Sequence, residues 1–402
     1  MSTHKTFKFK LYKSKKNKEL EKQIELAAKI YNHCIALHKR YYRLYDKYIH
    51  RFALINHIVK LKKLPKYNEW KKLDAQAIQG IVERIDRAYQ LFFHNQKQGV
   101  KSAPPSFKKI SKYKSFTLKQ SGYKLFEDNR IRIRKQIYKY HKSREIEGEI
   151  KRVTVKRDAL GDIYICVMCE ISEPEVMPRA GEIVGYDFGL KKFLTASDGR
   201  DIESPEFFKQ GQNEIKKLHK KLSKKKRGSN NRKKAKRDLV RAYKKITNQR
   251  TDFHFKLAKK IAEEYAVVCI EDLNIKAMQQ LWGKKISDLS HSSFINILKY
   301  QCSKVGTTVV QVDRFYPSSK TCSNCGYVYK ELQLKEREWT CPCCGIHHDR
   351  DVNAAINIQR VGASTLGVET VRPTEVGSFV DPTISQLEGV CQGLIVRGDK
   401  NA

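Results

Sequence analysis

The sequence predicts an α/β domain with a small metal-binding insertion, joined to a β-rich module that carries a block of helices within it. Three observations predict this. Apolar residues recur at helix spacing from Glu19 to about Gln98, and segments of alternating apolar and polar residues flank that block. From Ile183 onward, short apolar strands alternate with helical stretches, and two of the strands run into acids. Two Cys-x-x-Cys pairs stand 15 residues apart just before the last helical pattern.

The elements follow in order. Lys5 to Tyr12 alternate basic and apolar residues, as a strand with one wet face does. Leu20, Ile24, Ala27, Ala28 and Tyr31 mark a first helix, and Ile78, Ile81, Ile85, Ala88, Tyr89 and Phe92 a second from Asp74 to Phe93. Tyr, His, Lys and Arg crowd the positions between, a mix suited to phosphate contact and base stacking. Pro104-Pro105 ends the helical block. Ile131 to Arg134, Glu149 to Val155 and Ile163 to Ile171 alternate as strands, with Asp128-Asn129 and Gly161-Asp162 as turns. Pro174 to Gly181 reads as a linker.

Ile183 to Gly189 is a buried-type strand with Asp187 near its end; Phe193 to Ala196 is a second strand, and Ser197-Asp198-Gly199 a hairpin turn. Lys216 to Arg250 is expected as two basic helices broken at Gly228 to Asn231. A further helix, Phe253 to Tyr265, leads to strand Ala266 to Ile270 and the acids Glu271-Asp272. A helix from Ser292 to Lys304 precedes strand Thr307 to Asp313, and a last helix starts near Asp351. Beyond Gly362 the chain is rich in Gly, Ser, Thr and Pro, and is expected to pack loosely.

With 81 Lys and Arg against 43 Asp and Glu, the 402-residue chain carries a formal charge of +38. Such self-repulsion brings nothing to an enzyme of small molecules, whereas a polyanionic partner removes it and releases counterions. The segment 216–250 alone holds 17 Lys or Arg and one acid, Asp238. Lys224, Lys225, Lys226, Arg227, Arg232, Lys233, Lys234 and Arg250 are therefore candidate nucleic-acid contacts. No leader and no run of 18 apolar residues is present, so a cytoplasmic, nucleoid-associated protein of a prokaryote is expected. Eleven cysteines without an export signal argue for metal or free thiols over disulfides.

Cys322, Cys325, Cys341 and Cys344 have the spacing of two knuckles that close a tetrahedral structural Zn²⁺ site. Cys343 is surplus; His347 and His348 are expected near the active site or nucleic acid. The six scattered cysteines are expected as small core residues. Asp187, Glu271 and Asp351 form the second constellation. An acid at a buried strand end is costly unless it meets a cation or partner. Carboxylates from two strands and a helix can hold two Mg²⁺ ions about 4 Å apart for phosphodiester hydrolysis. The order β–β–β–α–β–α fits an RNase H-like sheet.

Val184-Gly185-Tyr186-Asp187-Phe188-Gly189, Val268-Cys269-Ile270-Glu271-Asp272 and His348-Asp349-Arg350-Asp351-Val352-Asn353-Ala354-Ala355 resemble the three RuvC motifs of the TnpB family, transposon-encoded ancestors of type V CRISPR effectors. Phe315 to Cys322 is similar to that family's lead into its zinc finger. Arg250-x-Asp252-Phe253-His254 resembles the segment before the second motif, and Ala77 to Gln79 with Ala88 to Phe93 its recognition helix. The resemblance spans residues 5 to about 375.

It implies a wedge β-barrel (1–14 and 113–178), a helical recognition domain (15–112), a split RuvC nuclease domain (179–317 and 347–361), a zinc-binding nucleic-acid-loading domain (318–346) and a tail (362–402). It implies a guide RNA from the transposon end, and double-stranded DNA cleaved beside a short adjacent motif that the protein itself reads. Asp187, Glu271 and Asp351 take the catalytic positions, with Asp349 as the rival for the third. Gln76 and Gln79 become candidates for contact with the adjacent-motif DNA. Two other readings are a guided repressor that no longer cuts, which would lack one or more acids, and a strand-transfer transposase. All three acids are present, and no site-specific helix-turn-helix pattern is.

Overall fold

The computed structural model describes residues 2–172, 176–333 and 335–367. The chain divides into two compact units, Met1–Pro174 and Glu175–Ala402.

In the first unit, strand β1 (Ser2–Lys10) is followed by helices α1 (Asn17–Tyr45), α2 (Arg51–Leu61) and α3 (Ala75–Lys97). Strands β2 (Ser115–Leu118), β3 (Tyr123–Leu125), β4 (Arg130–Ile133), β5 (Gln136–Lys139), β6 (Glu149–Arg157) and β7 (Ile163–Ser172) complete it. One antiparallel sheet has the order β1-β7-β6-β2 and another β3-β4-β5. A bridge between Leu11 and Tyr140 links the two, and the helices lie in the chain between β1 and β2. Among the described residues no ladder joins β3 to β2, which leaves the array open there. The alternation read in the sequence is the alternation of burial: every second residue of β7, from Ile163 to Ile171, faces the core. Asp74 caps α3 by accepting the Gln76 N–H at 2.9 Å, which sets where that helix begins.

The second unit is built on strands β8 (Ile183–Asp187), β9 (Lys192–Ala196) and β10 (Asp201–Glu203), helices α4 (Phe207–Ser223) and α5 (Asn230–Glu264), strand β11 (Val267–Glu271), helices α6 (Ile275–Leu289) and α7 (His291–Val305), and strand β12 (Thr308–Val312). The sheet order is β10-β9-β8-β11-β12, antiparallel through the hairpins and parallel from β8 to β11 to β12. A short hairpin, β13 (Glu338–Thr340) with β14 (His347–Asp349), leads into the last helix, α8 (Arg350–Thr365).

Four expectations change. The basic helix and the one expected from Phe253 are a single helix, α5: Thr251 and Asp252 contain no breaker, and Thr251 Oγ1 bonds back to the Thr247 carbonyl at 2.8 Å. Helix α6, capped by Asn274 on the Ala277 N–H, adds to the elements expected from the sequence. The hairpin strand β14 carries the cysteine ribbon on to Asp349, past the expected boundary at 346. The last helix continues through Gly362 to Thr365, because Gly362 lies against the Cys269 side chain and buries the helix end on the sheet. The rest of the expected tail, residues 368–402, lies outside the described residues, as does Cys391. Of the other scattered cysteines, Cys34, Cys169, Cys269 and Cys302 are buried and Cys166 is half-buried. In the expected linker, Arg179 ties to the second unit through Gly306 and Glu263.

Candidate nuclease centre and cysteine ribbon

The strands β8 and β11 are neighbours and parallel, with Ile270 opposite Tyr186, so Asp187 and Glu271 emerge at the same end of the sheet. Helix α8 packs on β8 and places Asp351 in its first turn. Asp349 caps that helix, accepting the N–H groups of Asp351 and Val352 at 2.9 Å each. A carboxylate engaged as a cap is the poorer candidate for a cation ligand, which leaves Asp351 as the candidate for the third position.

Asp187 feels the charges of the other two acids. Desolvation, reinforced by the charges of Glu271 and Asp351, pushes the Asp187 carboxyl up to about 8, and Arg350 offsets this in part. Burial also raises Glu271, while a hydrogen bond from the Ser318 hydroxyl to Oε1 pulls it back. Arg337 donates to Asp351 Oδ1 at 3.1 Å. Negative charge gathered at a dry strand end is unfavourable by itself and favourable around a divalent cation. That donor set fits Mg²⁺, a hard ion that takes oxygen ligands. The cysteines are the group close enough to share a single ion among the described residues.

Cys322, Cys325, Cys341 and Cys344 bring their sulfur atoms within 4.8 Å of one another. Each knuckle closes with a tight turn: the Gly326 and Gly345 N–H groups donate to the Cys322 and Cys341 carbonyls at 2.9 Å. Both glycines have positive φ, 79° and 73°, which a side chain would strain. Burial pushes the Cys322 thiol up, whereas the backbone N–H of Ile346 pulls the Cys344 thiol down, and four thiolates gathered together need a cation to compensate their charge. Four thiolates fit a closed structural zinc site and leave no open position for catalysis. Cys343 is exposed and outside the group. His348, expected near the active site or nucleic acid, is buried instead: its Nε2 lies 3.1 Å from Cys322 Sγ, and its ring packs on Trp339. His347 is exposed and bonds Thr340.

The basic candidates divide into two kinds. Lys224, Lys226, Arg227, Lys233 and Lys234 are exposed, and Lys225 half-exposed, around the turn between α4 and α5. Arg232 turns inward and donates to the Leu222 and Lys225 carbonyls at 2.9 Å. Arg250 does likewise to Ser287 and Asp288 at the end of α6, at 2.6 and 2.8 Å. These two hold helix ends. Gln76 and Gln79 are half-buried, one turn apart at the start of α3. Sequence reasoning missed Ser318, Asn353 and Asn357, described below; the Asn-Ala-Ala run after Asp351 was the available signal.

The family model described as "Cas12f1-like, TNB domain" matches residues 291–358, and the one described as "Probable transposase" matches 166–281. A protein of Streptomyces pristinaespiralis named "Putative RNA-guided DNA endonuclease" is 37% identical over 235 residues, 58% of each chain. The "Putative RNA-guided DNA endonuclease InsQ" of Escherichia coli K12 is 28% identical over 86% of this chain and 89% of its own length. The "TnpB-like protein L79" of Acanthamoeba polyphaga mimivirus is 31% identical over 53% of this chain and 43% of that protein. In fold, the chain is similar to the Cas12f1 protein solved in a Cas12f1-sgRNA-target DNA complex, with a TM-score of 0.55 at 14% identity over 89% of this chain and 99% of that one. In both matching segments and in these relatives, the chain is similar to TnpB-like proteins and to proteins named as RNA-guided DNA endonucleases.

Proposed function

We propose that the protein is an RNA-guided DNA endonuclease that holds a guide RNA from a transposon end and cleaves double-stranded DNA beside a short adjacent motif. The observation that carries this reading is the meeting of Asp187, Glu271 and Asp351 from two parallel strand ends and the covering helix. The names of the bacterial relatives and the charge of +38 support it. The second unit takes the part of a RuvC domain, and the strand array with inserted helices that of a wedge barrel and recognition block.

Asp187, Glu271 and Asp351 would hold two Mg²⁺ ions, which supply Lewis-acid stabilisation of the charge that develops on the phosphodiester. The protein's own groups do the rest. The three carboxylates would fix where those ions are held, and thereby where a phosphodiester can be bound. Arg350 and Arg337 temper the negative field, so that an anionic backbone can approach. Exposed Lys224, Lys226, Arg227, Lys233 and Lys234, with half-exposed Lys225, contact phosphates without reading bases. Gln76 and Gln79 contact the adjacent-motif duplex, and base pairing with the guide supplies the remaining specificity. Cys322, Cys325, Cys341 and Cys344 would hold one Zn²⁺ and order the ribbon beside the site.

The test is to sequence the RNA that co-purifies with the protein, then assay Mg²⁺-dependent plasmid cleavage by wild type and Asp187→Ala. A discrete RNA, with cutting that follows its guide end and is lost in the variant, is the expected result. Cleavage without a specific RNA overturns the guided reading; guided binding without cutting assigns a repressor; joined DNA ends assign a transposase.

A further inference from the structure

Ser318 is not one of the three acids, yet its hydroxyl donates to Glu271. It lies four residues before Cys322 in a stretch of turns, which by itself would not hold a side chain still. Two asparagines of α8 grip that stretch. Asn357 Nδ2 donates to the carbonyls of Ser318 and Thr321, at 2.8 and 2.6 Å. Asn353 donates to the Thr321 carbonyl at 2.7 Å and accepts the Ser323 N–H at 2.8 Å. Arg360 also donates to the Ser323 carbonyl. Thr321 bonds back to the Pro317 carbonyl through its amide and its hydroxyl, at 3.0 and 2.9 Å.

Asn353 and Asn357 are 1% and 3% exposed, and Ser318, Thr321 and Ser323 are buried with them. Buried amides are costly unless bonded, so these asparagines have no alternative partner as good as the ribbon's backbone. The first cysteine knuckle is thus locked to the helix that bears Asp351, and the lock ends on the carboxylate of Glu271. A glutamate has three side-chain torsions, and a fixed hydrogen bond to one oxygen removes most of that freedom.

We infer that the cysteine ribbon positions the carboxylate site: through Asn353 and Asn357 it fixes Ser318, and Ser318 fixes Glu271 for its cation. This rests on the reading of Glu271 as a cation ligand. It gives the ribbon a task separate from handling nucleic acid. Ser318 is a positioning residue, since it acts through Glu271.

The experiment uses the full-length protein with its co-purified RNA. Mn²⁺ serves as the probe, its binding followed by electron paramagnetic resonance, with Asp187→Ala as background and zinc content and target-DNA binding measured alongside. Ser318→Ala is expected to keep its zinc and its DNA binding while Mn²⁺ affinity falls about 10-fold or more, and the Mg²⁺ needed for half-maximal cleavage rises in step. Ser318→Thr, which keeps the hydroxyl, is expected to restore both. Asn357→Ala is expected to repeat the defect without touching Glu271, and it carries the test if Ser318→Ala folds poorly. Wild-type Mn²⁺ affinity in both alanine variants overturns the inference, as does wild-type binding no stronger than that of Asp187→Ala. A wild type that binds Mn²⁺ at these carboxylates but never cuts DNA refutes the nuclease reading alone, and the Mn²⁺ comparison still decides this one.

Discussion

A Cβ atom on Gly185 would lie 2.1 Å from the carbonyl oxygen of Ala355. The backbone of α8 therefore rests directly on the bare backbone of β8, two residues before Asp187, and only glycine allows that approach. Gly185→Ala must push α8 outward and Asp351 with it. The expected cost is about 1–3 kcal/mol of stability in thermal denaturation, with cleavage down about 100-fold. Native stability with full cleavage would show that the helix can shift freely.

Asp187 binds its proton more tightly in the folded chain than in the unfolded one, because burial and two neighbouring carboxylates raise it to about 8. The folded state then holds more protons between the ordinary aspartate range and pH 8, so stability falls as pH rises through that window. Asp187→Asn removes the effect. In buffer free of Mg²⁺ the variant is expected to be the more stable by about 1–3 kcal/mol at pH 8.5, with little difference near pH 4. Equal unfolding curves at pH 8.5 would contradict the desolvated site.

The ribbon makes a choice between two adjacent cysteines. Cys344→Ser is expected to lose bound zinc and to melt the β13–β14 hairpin, whereas Cys343→Ser keeps one zinc per chain. Metal content by mass spectrometry decides this, and loss of zinc from Cys343→Ser would reassign the ligand.

The arginines and lysines of the α4–α5 region are expected to behave differently. Replacing Lys224, Lys226 and Arg227 by alanine leaves stability unchanged and weakens RNA binding, the salt slope falling by roughly 0.7 for each phosphate-bound cation removed. Arg232→Ala or Arg250→Ala costs about 1 kcal/mol of stability, since each leaves helix-end carbonyls unbonded. A salt slope that stays at the wild-type value in the triple variant would move the RNA elsewhere.

What the sequence disclosed follows from how each feature is encoded. Strands β8 and β11 were legible because a strand buried on both faces is an apolar run, and an acid at its end stands out against it. The cysteine ribbon was legible because ligand spacing is short and local. Arg232 and Arg250 could not be told from their neighbours, since a side chain that bonds carbonyls far along the chain looks the same as one that meets solvent. Ser318, Asn353 and Asn357 were hidden for a related reason: a polar residue reads as surface unless its distant partners are known. His348 is the reverse case, a residue type that suggests chemistry and that packs on Trp339.

Because α8 closes over β8 and supplies Asp351, the three carboxylates are first assembled only when the chain has been synthesised past residue 365. A chain cut short anywhere between the end of α5 and that point already bears the basic α4–α5 hairpin but not the completed helix that carries Asp351. On the proposed function, such incomplete products would meet RNA without being able to cut DNA.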